Sequence, residues 1–278
     1  VESGGAAPRP PRFAEQINWR WVRRSLYLAA VVLIVLPIVT FGMAYLIVDV
    51  PKPGDIRTNQ VSTILASDGS ELAKIVPPEG NRVDVNIDQV PVHVRNAVMA
   101  AEDRDFYTNP GFSLSGFARA IKNNLFGGDL QGGSTITQQY IKIMYLNSEQ
   151  TVTRKFRELF LAYRINSELS KEEILTDYLN TIYFGRGAYG IQAASQAYFG
   201  VDAKDLNLAQ SVALTAIINS PNNLDPGRGE AQRRDLLERY QYVLNQMVKL
   251  KYITDDQRAQ IYTALPDFPA LWQELVAG

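Results

Sequence analysis

Four charged residues stand in succession from Glu102 to Asp105, and two aromatic residues follow them. The apolar residues before this cluster recur at three- and four-residue spacing, at Val94, Ala97, Val98 and Ala101. This spacing predicts a helix that ends near Glu102. Because the C-terminal pole of a helix is negative, a carboxylate there is mildly disfavoured. Glu102 is therefore either a general base for proton transfer or one half of a surface ion pair with Arg104.

A second cluster lies in the stretch "QGGSTITQQYIK", residues 131–142. Ser134 or Thr135 is suited to cap the helix that follows. Polar side chains then recur three and four residues apart on that helix, at Gln138, Gln139 and Lys142. A glycine-flanked helix start with hydroxyls and a lysine is suited to bind an anion such as a phosphate. The alternative is an ordinary capped helix without a ligand.

A third cluster, "TVTRKFRELF", starts another predicted helix with Arg154 and Lys155. Basic residues at a helix start oppose the helix dipole. They are therefore candidates for holding an anionic ligand. The spacing of four residues to Glu158 equally permits a helical ion pair with Arg154.

The composition excludes several other kinds of site. The chain of 278 residues has 28 Lys and Arg against 29 Asp and Glu, a net charge of −1, so no nucleic-acid partner is expected. It has no cysteine, which excludes disulfides, thiolate zinc sites and a cysteine nucleophile. The single histidine, His93, is expected to be structural, and a Ser-His-Asp triad is not expected. Carboxylates, lysines, arginines and hydroxyls must carry any chemistry.

The elements that position these clusters begin with a candidate membrane anchor. From Leu26 to Val48 the chain runs 23 residues without a charge, and a helix of that length reaches about 34 Å, enough to cross a bilayer. Arginines and tryptophans precede this run and Asp49 follows it, which predicts a cytoplasmic N-terminus and an extracytoplasmic remainder. We predict three segments: a disordered basic tail at 1–25, a transmembrane helix at 26–48 and an extended linker at 49–59.

The extracytoplasmic part is predicted to be mainly α-helical with one small β element. Apolar β-branched runs flank Asp68 and Gly69, a pattern that predicts a β-hairpin. Two later helices carry stripes that we interpret as core: Phe156, Phe160 and Tyr163 on the first, and Ile174, Leu175, Tyr178, Leu179 and Ile182 on the second.

Four ordered motifs together resemble those of a known enzyme family. They are "AEDRDFYTNPGF", "QGGSTITQQYIK", "RKFRE" and "KEEILTDYLNTIYFGRGAYGIQAASQAYFG". The chain is similar to peptidoglycan glycosyltransferases, and it looks closest to the glycosyltransferase half of bifunctional class A penicillin-binding proteins. The resemblance covers residues 60–265 and implies a lysozyme-like glycosyltransferase domain there. Residues 266–278 would begin the linker to a transpeptidase domain, whose S-x-x-K, S-x-N and K-T-G motifs do not occur in this order. We therefore expect a truncated class A protein, with a monofunctional relative as the second explanation.

The resemblance also implies a reaction and a role for each motif residue. The family polymerises lipid II into glycan strands with inversion at the MurNAc anomeric carbon and release of polyprenyl pyrophosphate. Glu102 would be the general base, and Glu158 a second catalytic glutamate that orients the donor or binds a divalent ion such as Mg or Mn. The pyrophosphate and sugar contacts would come from Lys142, Arg154, Lys155, Ser134, Thr135, Gln138 and Gln139. Asp103 and Phe106 would shape the wall behind the base, and no organic cofactor is expected.

Three residues depart from the family pattern. Asn109 stands where the family usually has a histidine and Ile143 where it commonly has an asparagine. Thr176 stands where the family has an acid, with Asp177 beside it as the candidate replacement. None of these removes the base or the pyrophosphate cations, so the resemblance implies altered tuning rather than inactivity.

Partners and alternatives follow from the same resemblance. The expected partners are lipid II, the growing glycan strand, the bacterial plasma membrane, a phosphoglycolipid inhibitor of the moenomycin type, and proteins of cell division or elongation. The apolar residues Leu125, Phe126 and Leu130 are expected to dip into the membrane interface. Two alternatives stay open: a lysozyme-like lytic hydrolase, which also needs a carboxylic acid, and an inactive anchored scaffold.

Overall fold

The computed structural model describes residues 19–36, 39–40, 42–43, 62–67, 71–75, 81–113, 134–146 and 152–269. The chain divides into two compact units, Val1–Asp49 and Val50–Gly278. The predictions for the tail at 1–18, the linker at 49–59, residues 270–278 and the loop residues Leu125, Phe126 and Leu130 lie outside the described residues. Those predictions are therefore untested.

The first unit contains helix α1, Trp19–Ala30, which continues as a π-helical turn over Val31–Val35. None of its residues is buried within the chain. Among the residues that the structure describes, no helix is long and apolar enough to cross a membrane. Residues 37–38, 41 and 44–48 of the predicted span are not described.

The second unit is mainly helical. Its longer helices are α2 Val92–Glu102, α3 Ile136–Tyr145, α4 Val152–Glu168, α5 Lys171–Thr181, α6 Ile191–Phe199, α7 Leu208–Ile218, α8 Glu230–Lys249 and α9 Asp255–Ile261. Three short 3-10 helices lie at Ile87–Gln89, Ala203–Asp205 and Pro226–Arg228. Its strands are β1 Ser62–Leu65, β2 Glu71–Ile75, β3 Asn81–Arg82 and β4 Ala188–Tyr189. The prediction of a mainly α fold is confirmed.

Strands β1 and β2 pair antiparallel, which confirms the predicted hairpin around Asp68 and Gly69. Ser62 lies opposite Ile75 and Thr63 opposite Lys74, with an irregular step after Ile64. A second pair, β3 with β4, is parallel and was not predicted. It joins segments more than 100 residues apart along the chain, and each strand has only two residues, which is too short for a periodic pattern.

The core is built around helix α7. Every residue of α7 from Ser211 to Ile218 is buried, as expected for a helix enclosed on all sides. Helices α2 and α8 both pack on α7 and on each other. The ring Nε2–H of His93, on α2, donates to the carbonyl of Leu206 at 2.7 Å, just before α7. This confirms the structural role predicted for the single histidine.

Helix α3 packs against both α4 and α5. The stripe predicted on α5 is buried at all five of its positions. The stripe predicted on α4 is only partly correct, because Phe160 is buried while Tyr163 is 38% exposed. A tyrosine is stable at such a boundary because its ring can pack while its hydroxyl reaches water. The side chain of Phe156 lies outside the description.

Gly111 sets how closely the loop after α2 approaches helix α4. Its φ is +92°, and a Cβ atom there would lie 2.3 Å from the backbone oxygen of Ala162. Any other residue would be strained by this φ and would collide with the helix backbone. The glycine in "NPGF" therefore holds the loop that carries the first motif against α4.

Candidate active site

Glu102 is the last residue of helix α2, and its side chain is 11% exposed. Its Oε2 accepts a hydrogen bond from Gln139 Nε2 at 2.8 Å. Its Oε1 lies 3.3 Å from the guanidinium of Arg239. The alternative of a surface pair with Arg104 is not what forms, since Arg104 donates to the Tyr242 hydroxyl at 2.9 Å. The carboxylate thus lies at a junction of α2, α3 and α8.

Sequence reasoning missed the contribution of helix α8. Arg239 lies with its guanidinium carbon 4.5 Å from the ring centre of Tyr242, so the two form a cation–π contact three residues apart on α8. That spacing is visible in the sequence as a helical pair. Nothing local links the pair to Glu102, which is 137 residues away. The packing of α8 on α2 brings them together.

Next to Glu102, Asp103 is buried and accepts three hydrogen bonds. Asn109 Nδ2 donates to both of its oxygens at 2.9 and 3.0 Å, and the backbone N–H of Ile136 donates to Oδ2 at 3.2 Å. Burial raises the pKa of Asp103, and these donors together with the positive charge of Lys171 oppose that rise. Phe106, 1% exposed, packs beside them with Lys171 Nζ 4.7 Å from its ring centre. This arrangement joins the end of α2 to the start of α3.

Asn109 replaces the family histidine as a bridge within this network. Besides donating to Asp103, it accepts from the N–H of Gly111 through Oδ1 at 3.0 Å, and its carbonyl accepts from Lys171 Nζ at 2.7 Å. Burial lowers the pKa of Lys171, although the charge of Asp103 opposes this. Asn109 therefore forms a network of hydrogen bonds at the position where the family usually has a histidine.

Replacing Asn109 by Ala is expected to lower the free energy of unfolding by about 2–4 kcal/mol, because the buried carboxyl of Asp103 loses two of its three hydrogen bonds and the N–H of Gly111 loses its acceptor. Urea unfolding at pH 7 measures this. Asn223→Ala is the matched control, since the exposed amide of Asn223 also bonds a side chain, that of Ser220; its effect should stay within about 0.5 kcal/mol. Equal effects of the two substitutions would contradict the bridging role of Asn109.

Thr135, rather than Ser134, caps helix α3. Its side chain accepts from the N–H of Gln138, and Gln138 Oε1 accepts in return from the N–H of Thr135 at 3.0 Å. The Thr135 hydroxyl also donates to the carbonyl of Gly111 at 2.6 Å. Both side chains are buried and serve the fold at this point. Their predicted contact with substrate stays a prediction.

The predicted cationic cluster forms around Glu158 on helix α4. This carboxylate is 2% exposed; its Oε1 bonds Lys155 Nζ and its Oε2 lies 3.7 Å from Arg154. Lys155 Nζ also donates to Ser134 Oγ at 3.4 Å. The helical ion pair anticipated for Arg154 and Glu158 is therefore present, and Lys155 is held at the start of α3.

The surroundings of Glu158 do not fit the predicted divalent ion. Both of its oxygens face cationic side chains, which would repel a metal ion. No group of three or more His, Cys, Asp or Glu side chains suited to hold a metal occurs among the described residues. A metal at Glu158 thus has no support from its neighbours.

Lys142 and Gln139 project from the same helix with different environments. Lys142 is exposed in the last turn of α3 and makes no ion pair within the described part of the chain. Gln139 is half-buried, and its amide is engaged by Glu102 and by the Tyr178 hydroxyl. Helix α3 therefore reaches Glu102 through Gln139, and the residue before its cap, Ser134, reaches Lys155.

The remaining departures from the family pattern lie on exposed or half-buried positions. Ile143 is 40% exposed, and Thr176 donates its hydroxyl to the carbonyl of Glu172 at 2.6 Å within α5. Asp177 accepts from the Tyr140 hydroxyl at 3.3 Å, which links α5 to α3. Burial raises the pKa of Asp177 from 3.8 to about 6, against the lowering effect of that hydrogen bond.

Asp177 is expected to make the protein less stable as pH rises. Its raised folded-state pKa means that its stabilising contribution is fully present below pH 3.8 and is lost as pH rises through about 6. The free energy of unfolding of the natural chain should fall by about 2 kcal/mol between pH 4 and pH 7 relative to Asp177→Asn, which stays neutral. Urea unfolding across that range measures the difference, and parallel curves for the two proteins would contradict it.

Comparison with known proteins supports the family resemblance. The sequence profile described as "Transglycosylase" matches residues 68–248, more than half of the chain. Penicillin-binding protein 1A of Mycobacterium tuberculosis is 59% identical over 277 residues, covering 96% of this chain and 33% of that protein. Penicillin-binding protein 1A of Mycolicibacterium smegmatis is 57% identical over 261 residues, covering 91% and 33%.

A crystal structure of penicillin-binding protein 1A from Haemophilus influenzae covers 80% of this chain and 25% of its own at 19% identity. Its TM-score of 0.41 is too low to support an inference about this fold. The chain spans about a third of the length of the curated relatives it matches. Because the profile covers most of the region that carries the four ordered motifs, the chain belongs to the transglycosylase family.

Proposed function

We propose that this chain is a peptidoglycan glycosyltransferase that polymerises lipid II. One observation carries the proposal: helix α3 joins a held carboxylate to a cationic cluster. Gln139 of α3 contacts Glu102 at 2.8 Å, and Ser134, just before α3, contacts Lys155 at 3.4 Å. A base and a set of cations on one scaffold suit a transfer in which a hydroxyl attacks and an anionic group leaves.

The proposed reaction begins at Glu102. Its carboxylate takes the proton of the 4-hydroxyl of GlcNAc on the acceptor lipid II. The freed oxygen bonds the anomeric carbon of the terminal MurNAc of the growing chain, while the bond from that carbon to the pyrophosphate oxygen breaks. Attack from the opposite face converts the α linkage to a β linkage, and polyprenyl pyrophosphate leaves with the bonding electrons.

The leaving pyrophosphate gains negative charge during this step. Cations placed beforehand around it stabilise the transition state more than the ground state. In the proposal Lys142 and Arg154 supply this charge, with Lys155 in support. Glu158 pairs with Arg154 and Lys155 and positions these two side chains from within the protein. No step requires a metal ion.

The mainly helical fold with a small parallel strand pair is consistent with the lysozyme-like architecture that we propose for residues 60–265. We also propose anchoring in the bacterial plasma membrane with the catalytic domain outside, on the basis of the 23-residue uncharged run and its flanking arginines. Leu125, Phe126 and Leu130 would then contact the interface where the lipid tail of the substrate stays.

Incubation of the full chain with labelled lipid II in detergent or vesicles tests the activity. Polymerase activity predicts glycan strands and release of polyprenyl pyrophosphate, with inhibition by a moenomycin-type phosphoglycolipid. Cleavage of finished strands without elongation would instead establish the lytic alternative, which has no use for pyrophosphate-binding cations. Absence of both activities would favour the scaffold alternative, in which the fold serves binding to division or elongation proteins.

A further inference from the structure

A fully buried tyrosine reaches the proposed base through a glutamine. Tyr178 lies on α5 with 0% of its surface exposed, and its hydroxyl donates to Gln139 Oε1 at 3.1 Å. The same amide donates through Nε2 to Glu102 Oε2 at 2.8 Å. Three helices, α5, α3 and α2, thus meet in one chain of hydrogen bonds.

The direction of these hydrogen bonds is determined by the chemistry of the groups. An ionised carboxylate can only accept, so the NH₂ of Gln139 must face Glu102. The amide oxygen then faces Tyr178, whose hydroxyl must donate. Burial raises the pKa of Tyr178 well above its usual value, and the nearby carboxylates of Glu102 and Asp103 add to the rise, so the hydroxyl keeps its proton.

We propose that Tyr178 is a positioning residue for the base, acting through Gln139. The inference rests on the proposed function. By occupying the amide oxygen, Tyr178 prevents the Gln139 amide from turning its oxygen toward Glu102, where two acceptors would repel each other. Gln139 and Arg239 then hold one oxygen each of the carboxylate, at 2.8 and 3.3 Å. These two contacts fix the plane of the carboxylate and leave it lone pairs with which to accept the proton of the acceptor hydroxyl.

This role differs from that of two other buried tyrosines, Tyr198 and Tyr140. The Tyr198 hydroxyl donates to the carbonyl of Phe184 at 2.8 Å, and the Tyr140 hydroxyl donates to Asp177. Neither hydroxyl contacts Gln139 or Glu102. Tyr198→Phe is therefore a matched control: it removes one buried hydroxyl and one hydrogen bond but leaves the surroundings of the base intact.

The test is steady-state polymerisation of lipid II by the full chain carrying Tyr178→Phe. Loss of one oriented hydrogen bond at the base should lower kcat about tenfold. The KM for lipid II should stay within about twofold, because the ring of Tyr178 is enclosed by protein and touches no substrate. Tyr198→Phe should keep the natural kcat, and thermal unfolding of both variants shows that they are folded.

A double-variant cycle separates positioning from a general structural effect. Gln139→Met removes the amide while keeping the side-chain length, so adding Tyr178→Phe to it should lower kcat no further. Multiplying effects would overturn the inference, as would natural kcat in Tyr178→Phe or a rise in KM alone. If Tyr178→Phe does not fold, the test rests on Gln139→Met alone. An unchanged kcat in that variant would exclude a positioning role that acts through Gln139.

Glu102→Gln in the same assay distinguishes this inference from the proposed function. If Glu102→Gln is inactive and Tyr178→Phe is fully active, only the positioning role fails. If Glu102→Gln polymerises at the natural rate, the assignment of the base fails and the positioning role fails with it.

Discussion

Replacing Glu102 by Gln is expected to lower the rate of lipid II polymerisation at least about hundredfold, the usual scale for losing a general base. The amide keeps the shape of the side chain and can still accept from Gln139. It cannot take a proton from the acceptor hydroxyl. Strand formation from labelled lipid II at saturating substrate measures the effect as kcat.

Glu168→Gln is the control for this substitution. Glu168 is also paired with an arginine, Arg164, at 2.8 Å, but it lies at the end of α4 and is more exposed. The Glu168→Gln variant should polymerise lipid II at the rate of the natural chain. Both variants should unfold cooperatively, at temperatures close to the unfolding temperature of the natural chain. A Glu102→Gln protein with natural activity would show that another group accepts the proton.

Replacing Lys142 by Met is expected to lower kcat/KM about hundredfold, because in the proposed reaction the transition state then loses a cation beside the leaving pyrophosphate. The substitution keeps the length and the apolar stem of the side chain. Since Lys142 is exposed and makes no ion pair within the described residues, stability should change by no more than about 0.5 kcal/mol. Initial rates over a range of lipid II concentrations measure the effect.

Lys249→Met is the matched control, since Lys249 is likewise an exposed lysine in the last turn of a helix, α8. Its rate should equal that of the natural chain. Lys142→Arg should retain more activity than Lys142→Met, because it keeps the charge but changes the geometry. Equal kcat/KM for Lys142→Met and Lys249→Met would exclude Lys142 from pyrophosphate binding.

Features that depend on neighbours along the chain were predictable. The α5 stripe is buried as its helical spacing requires, and a hydroxyl after the paired glycines does cap α3. The hairpin around Asp68 and Gly69 also forms. In each case the pattern that predicts the feature lies within one short segment of the chain, so the sequence alone reveals it.

Features that depend on packing were not predictable. The prediction that Tyr163 is buried was wrong. Helical spacing gives the direction of a side chain but not whether another element covers it. The parallel pair β3–β4 joins Asn81 to Ala188, and strands of two residues carry no periodic pattern. The short spacing between Glu102 and Arg104 suggested a surface ion pair. It gave no information about the actual partners of Glu102, which are Gln139 and Arg239.

The sequence by itself determined the residue types of the site, their order and the family to which the chain belongs, because motif chemistry and helix caps are local. Only the tertiary structure decided what contacts the base. Arg239 reaches Glu102 because α8 packs on α2, and Tyr178 reaches Gln139, which contacts Glu102, because α5 packs on α3. Both contacts bridge distant segments, and their geometry is set by the packing of these helix pairs and not by any pattern along the chain.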